Sequence, residues 1–140
     1  MVIQQTLSII KPDGVERNLI GEVYKRFAIS GLKIVAAKMT QLALEEAEVF
    51  YRIHQRKSFF DDLIAYITRG PIMVQVLAGE NAILKNREIM GATDPRKAVM
   101  GTIRADFGLS VIENVIHGSD TEDTAKAEID FFFLPIEIFI

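Results

Sequence analysis

Apolar and polar positions fall in short blocks along this chain, and the period changes from block to block. Thr6-Leu7-Ser8-Ile9-Ile10 is short, rich in β-branched residues and runs into Lys11-Pro12-Asp13-Gly14, a turn signal, which predicts a buried strand. Over residues 22–30, Val23, Phe27 and Ala28 collect on one helical face, with Gly31 placed to terminate the helix. Residues 32–42, small or branched and carrying Lys33 and Lys38, predict a second strand. Near-helical spacing returns over 44–55, and a short helix over 61–68 stops at Arg69-Gly70-Pro71.

A third strand is predicted over 72–77, closed by Gly79, and a helix over 81–90 between Asn81 and Gly91. Residues 92–118 read as largely irregular, punctuated by Pro95, Gly101, Gly108, Asn114 and Gly118. A loop of that length inside a compact domain is usually functional. Ser119-Asp120-Thr121-Glu122 fits a capping box and opens a helix to about residue 129; Phe131-Phe132-Phe133 then predicts a fourth strand before Pro135. The order β-α-β-α-α-β-α-loop-α-β contains two β-α-β halves, each with a strand return too short for a Rossmann sheet. It fits a split β-α-β sheet with helices on one face, an α+β sandwich.

Composition narrows the functions. The 140 residues are 49% apolar and 25% charged, which matches one globular domain over residues 1–140 with a core that needs no staples. The absence of cysteine excludes disulfides, thiolate metal sites and cysteine nucleophiles. A net charge of −3 with scattered basic residues argues against a dedicated nucleic-acid binder. No run approaches the ~20 apolar residues of a membrane helix. Met1-Val2-Ile3-Gln4-Gln5-Thr6 lacks the pattern of a secretory leader, so a cytoplasmic protein is expected.

His117 and His54 are the two histidines. His117 lies in Asn114-Val115-Ile116-His117-Gly118-Ser119-Asp120, just ahead of a helix N-terminus whose free N–H groups suit a phosphate. Gly118 permits close backbone approach, Ser119 can bond the ring or an anion while capping the helix, and Glu128 is placed to orient the imidazole. By composition alone, His117 reads as a satisfied loop histidine. Lys11 at a strand end, Arg87 on a helix, Thr93 and Arg104 in the loop form a cationic and polar set suited to a triphosphate. Tyr51 and Phe59-Phe60 could supply a phenol and a stacking platform, with Phe60 assigned to the core; His54 is taken as structural or surface. No Walker loop, kinase glycine loop, Rossmann fingerprint or metal-ligand spacing occurs, so a divalent metal would arrive on a substrate.

The run 114–120 resembles the N-x-x-H-G-S-D signature of nucleoside diphosphate kinases. Residues 6–13, Gly70-Pro71, Asn86-Arg87, residues 90–95 and residues 101–107 resemble the same family in the same order, covering about residues 4–134. The resemblance implies a ferredoxin-like sandwich with a four-stranded antiparallel sheet and a long loop before the histidine. It implies a ping-pong transfer of the γ-phosphoryl of a nucleoside triphosphate, mainly ATP, to a nucleoside diphosphate through phosphorylated His117. In it, Lys11, Tyr51, Arg87, Thr93, Arg104 and Asn114 match residues on phosphates and ribose; Phe59 and Val111 match those flanking the base; Ser119 and Glu128 match those holding the histidine. Little base selectivity, Mg²⁺ carried on the nucleotide and a homo-oligomer, tetramer or hexamer, follow from the same likeness.

Val99-Met100, Ala43 at a helix-capping position and the apolar tail 134–140 depart from the family pattern. Two other classes compete for the same residues. A phosphocarrier would use His117 without needing Phe59, Lys11 or Asn114 for a nucleoside, and a nucleic-acid module would depend strongly on salt.

Overall fold

The computed structural model describes residues 3–140. Four strands, β1 (Ile3–Ile10), β2 (Lys33–Thr40), β3 (Ile72–Glu80) and β4 (Ile116–Gly118), form one antiparallel sheet in the order β2-β3-β1-β4. Among the described residues six α-helices lie between the strands, α1 (Pro12–Glu16), α2 (Ile20–Ile29), α3 (Leu44–Phe50), α4 (Phe60–Ile67), α5 (Ala82–Met90) and α6 (Ile103–Phe107), and a seventh, α7 (Glu122–Phe132), follows the last. The α+β class and the four-stranded antiparallel sheet expected from the sequence are both present.

Alternation along the central strands decides what each sheet face carries. Leu7, Ile9, Val74 and Val76 pack on one side with Ala47, Leu63, Ile67, Ile129 and Phe132 from α3, α4 and α7. Ile10 and Leu77 pack on the other with Val23, Phe27, Ala82, Met90 and Ile103 from α2, α5 and α6. Helices therefore cover both faces, not one. A sheet buried on both sides explains why β3 reads as a nearly continuous apolar run over residues 72–78.

The fourth strand is not Phe131-Phe132-Phe133. Phe131 and Phe132 complete the last turn of α7, and the fourth strand is Ile116–Gly118. A short apolar run looks the same whether it is a buried strand or the inner face of a helix. The helix also starts later than expected, with Thr121 as N-cap: its Oγ1 accepts the Thr124 N–H at 3.0 Å. That frees Ser119 for another partner.

The segment 92–118 is more ordered than its glycines and prolines predict. It holds a 3-10 turn (Pro95–Lys97), α6 and β4. At α3, Ala43 offers no side-chain cap, but Glu46 returns a bond to its N–H at 2.9 Å. In the tail, Ile138 packs on the chain's own core and the Phe139 N–H donates to the Val35 carbonyl, at the irregular step of edge strand β2. Ile136, Phe139 and Ile140 are exposed.

Candidate active site

β4 pairs with the end of β1 so that His117 stands opposite Ile9. Directly paired residues share a sheet face, so His117 projects to the side of α3 and α7. Its Nε2 lies 3.0 Å from Oε1 of Glu128 on α7. The same carboxylate oxygen accepts the Ser119 hydroxyl at 2.7 Å. Ser119 is itself fixed to β1: its N–H donates to the Leu7 carbonyl and its Oγ accepts the Leu7 N–H at 3.3 Å. A carboxylate only accepts, so Nε2 carries the proton in the neutral ring and Nδ1 keeps its lone pair.

Gly118 turns to the opposite face, where a Cβ would fall 2.4 Å from Asn86 Nδ2 and 2.5 Å from Met90 Sδ. The glycine is required by helix packing: it leaves room for the Asn86 and Met90 side chains of α5.

Two aromatic rings stand against the imidazole. The Tyr51 ring is edge-on at 6.0 Å, and its buried hydroxyl has no hydrogen-bond partner. Burial first, then the Glu128 charge, pushes that phenol's pKa well up, so it remains a donor. The Phe50 ring lies at 5.5 Å from the imidazole, also edge-on.

The polar side of the site is organised around Asn114, which is 1% exposed. Its Oδ1 accepts the Lys11 ammonium at 2.8 Å, and its Nδ2 donates to the carbonyls of Thr93 and Val111. Lys11 is buried; desolvation, reinforced by the nearby Arg104 charge and opposed by Asp13, lowers its pKa to about 7. Asp13 also accepts the Tyr66 hydroxyl.

Arg104 lies on α6, not in irregular loop. Its guanidinium donates to the carbonyls of Asn114, Gly91 and Ile116. Burial and then Arg87 lower its pKa to about 10. Arg104 therefore braces the loop from within, while Arg87 stays exposed on α5. The brace surrounds a strained residue: Val115, fully buried, has φ +75°, an outlier for a β-branched side chain. Its carbonyl accepts the Lys11 N–H at 2.7 Å.

Beyond Tyr51 the aromatic row continues. His54 stacks on Tyr51 at 6.4 Å and tilts against Phe59 at 5.7 Å. Phe59 and Val111 are 37% and 52% exposed, so both can offer apolar surface to a ligand. His54 is thus next to the site, beyond its sequence assignment as structural or surface. Burial, Lys57, His117 and Lys11 hold its pKa below the ordinary value against the opposing charge of Asp120.

His117, Ser119, Glu128 and Tyr51 come together around the imidazole; Lys11, Asn114, Thr93, Val111 and Arg104 are joined through the hydrogen bonds of Asn114 and Arg104; Phe59 ends the aromatic row, and Arg87, exposed on α5, is linked to the rest through the effect of its charge on Arg104. Phe50, Val115 and His54 were missed. Phe50 carries no sequence signal apart from that of an amphipathic helix. A valine gives no warning of positive φ.

The family model described as nucleoside diphosphate kinase matches residues 4–138. The chain belongs to the nucleoside diphosphate kinase family. It is similar, at 58% identity over 99% of its length and all of the relative's, to a nucleoside diphosphate kinase of Coxiella burnetii (strain CbuK_Q154). It is 57% identical to one of Paracidovorax citrulli, covering 99% of each chain. Among solved structures, the nucleoside diphosphate kinase of Aquifex aeolicus superposes with a TM-score of 0.94 at 40% identity, over 98% of this chain and 99% of that one. A halophilic one from Halobacterium salinarum, in complex with CDP, gives 0.96 at 41% identity, over 99% of this chain and 93% of that one. This family is one of enzymes, and the fold described above belongs to it.

Proposed function

We propose that this chain transfers the γ-phosphoryl of a nucleoside triphosphate, mainly ATP, to a nucleoside diphosphate through a phosphohistidine on His117. The observation that carries the reading is the Nε2–Glu128 bond, which leaves Nδ1 as the free nucleophile. Nδ1 attacks the γ-phosphorus in line, the Nδ1–P bond forms, and the bridging P–O bond breaks with its electron pair leaving on the diphosphate. The positive charge then shared by the ring is balanced by Glu128, which Ser119 holds in place. In the second half, a terminal oxygen of the acceptor diphosphate takes the phosphoryl and neutral imidazole returns.

Charge on the moving oxygens is met by Lys11, Arg87 and the unpartnered Tyr51 hydroxyl, with Arg104 contributing its field and the shape of the loop. Thr93 and Asn114 line the same polar edge. Phe59 and Val111 offer apolar faces to the base, and a π-face reads no hydrogen-bond code, which supports low base selectivity. Among the described residues no three His, Asp or Glu side chains gather to hold a metal ion. Mg²⁺ is therefore assigned to the nucleotide's phosphates, where it would neutralise charge.

A homo-oligomer, tetramer or hexamer, is supported by exposed Ile136, Phe139 and Ile140 on the tail and Val99 and Met100 on the loop, a surface monomers seldom leave open. Among the described residues no helix is long and apolar enough to cross a membrane. We place the enzyme in the cytoplasm as one domain over residues 1–140, acting on soluble nucleotides, with no dedicated nucleic-acid binding.

Incubation with γ-labelled ATP and Mg²⁺ tests the mechanism. Label should appear on His117 with release of ADP before any acceptor is added, survive alkali, leave in acid and discharge onto added nucleoside diphosphate. His117→Ala should abolish label and turnover. Label on a hydroxyl residue, or turnover needing both nucleotides bound together, would overturn the reading.

A further inference from the structure

We propose that Phe50 is a positioning residue for the nucleophile, fixing the plane of the His117 ring so that Nδ1 points into the site. The inference rests on the assignment of His117 as the phosphoryl acceptor. A histidine ring turns about a broad sp³–sp² torsion. One hydrogen bond, from Nε2 to Glu128, tethers a single ring atom and leaves rotation about that tether open. The direction of the Nδ1 lone pair follows the ring plane, so something else must set it.

Phe50 is placed to do so. Its ring meets the imidazole at 5.5 Å and 67°, and Tyr51 meets it at 6.0 Å and 85°. Both lie in the range of edge-to-face aromatic contacts. Phe50 is in turn held by Phe131 and Phe132, each at 5.3 Å, and by Tyr51 at 4.9 Å. Phe131 and Phe132 lie on α7, the helix that carries Glu128. The bracket on the ring and the acceptor of its proton therefore belong to one packed body. Tyr51 also has an unpartnered hydroxyl; Phe50 has no polar atom, so it acts on the reaction only through the rings it touches, and of these the imidazole carries the nucleophile.

The test compares Phe50→Leu, which keeps apolar bulk but removes the flat ring, with Phe50→Tyr, which keeps the ring. Rapid-quench phosphorylation by saturating MgATP should be slowed about tenfold or more in Phe50→Leu, since small misalignments of reacting groups cost rate steeply. Nucleotide Kd should stay within about twofold of the parent's, and Phe50→Tyr should restore the rate. The ¹⁵N spectrum of unphosphorylated His117 should show the Nε2–H tautomer in the parent and in both variants, because Glu128 sets the tautomer and Phe50 only the ring plane. Should Phe50→Leu not fold, Phe50→Met replaces it in both measurements. A parental rate in the ringless variant, a loss confined to Kd, or a tautomer mixture in Phe50→Leu, which would place the fault at the Glu128 bond, overturns the proposal. A parent protein that takes no label on His117 overturns the underlying mechanism instead, so the two failures are distinguishable.

Discussion

Asn114 joins the buried Lys11 ammonium to the loop it must face: Oδ1 accepts from Nζ at 2.8 Å while Nδ2 donates to the carbonyls of Thr93 and Val111 at 3.0 and 2.9 Å. One amide thus spans the end of β1, the segment after α5 and the segment before β4. Asn114→Ala leaves Lys11 without its acceptor and two loop carbonyls without a donor. Hydrogen bonds to charged groups contribute about 1.5–3 kcal/mol each. The expected outcome is a fall in kcat/KM of at least tenfold with a lower melting temperature, and steady-state kinetics with calorimetry check both.

Lys11 gives a pH prediction whose sign is fixed. Its pKa is about 7 in the folded protein and near 10.5 in the unfolded chain. Between those values the unfolded state holds more protons, so this residue makes stability rise with pH across that window. Lys11→Met should therefore stabilise the nucleotide-free protein most at pH 7 and below, with the gain shrinking towards pH 10. A bound polyphosphate favours the ammonium form. Binding at pH 8 should accordingly take up as much as about one proton, read by calorimetry in buffers of different ionisation enthalpy. Proton release at that pH would contradict the placement of Lys11 against phosphate.

If Phe59 stacks on the base, Phe59→Ala should weaken every nucleotide comparably, by about 1–3 kcal/mol. KM values for purine and pyrimidine substrates should shift together. A loss confined to one base would reveal a polar contact that reads it.

Removing residues 136–140 separates two roles of the tail. Ile138 packs on the chain's own core, so a lower melting temperature follows whether or not a neighbour is present. Ile136, Phe139 and Ile140 are exposed, and burial against another subunit would contribute roughly 1.5–3 kcal/mol for each. Native mass decides: a smaller particle after truncation is the expected result, and an unchanged one would show that these side chains do not hold the assembly.

The sequence made the chemistry more legible than the architecture. His117 and Lys11 directly follow apolar residues, where a polar group stands out, whereas Ser119 and Glu128 lie among other polar residues and are picked out by their spacing from the histidine and from each other. Phe131-Phe132-Phe133 misled because three apolar residues cannot distinguish period 2 from period 3.6. The true fourth strand escaped because Ile116–Gly118 has a polar centre and a glycine. Its pairing is set by partners on β1 more than a hundred positions earlier. Arg104, read as lying in irregular loop, sits on α6 and bonds three carbonyls: no local pattern tells whether a guanidinium will meet a ligand or the carbonyls of its own chain. The role of Ser119 shifted for a similar reason, since Thr121, two residues on, competed for the cap.

The pairing of His117 with Ile9 constrains how this enzyme can diverge. Successive strand residues face opposite ways, so a one-residue slip of β4 along β1 would turn the imidazole from Glu128 towards α5. The bonds from Lys11 N to Val115 O and from Ser119 N to Leu7 O pin the strand on either side of the histidine. Insertions and deletions in the long loop before Asn114 are therefore tolerable only where both pins survive. Within that limit loop length can drift between lineages, while the handful of residues from Asn114 to Ser119 must be inherited as one unit.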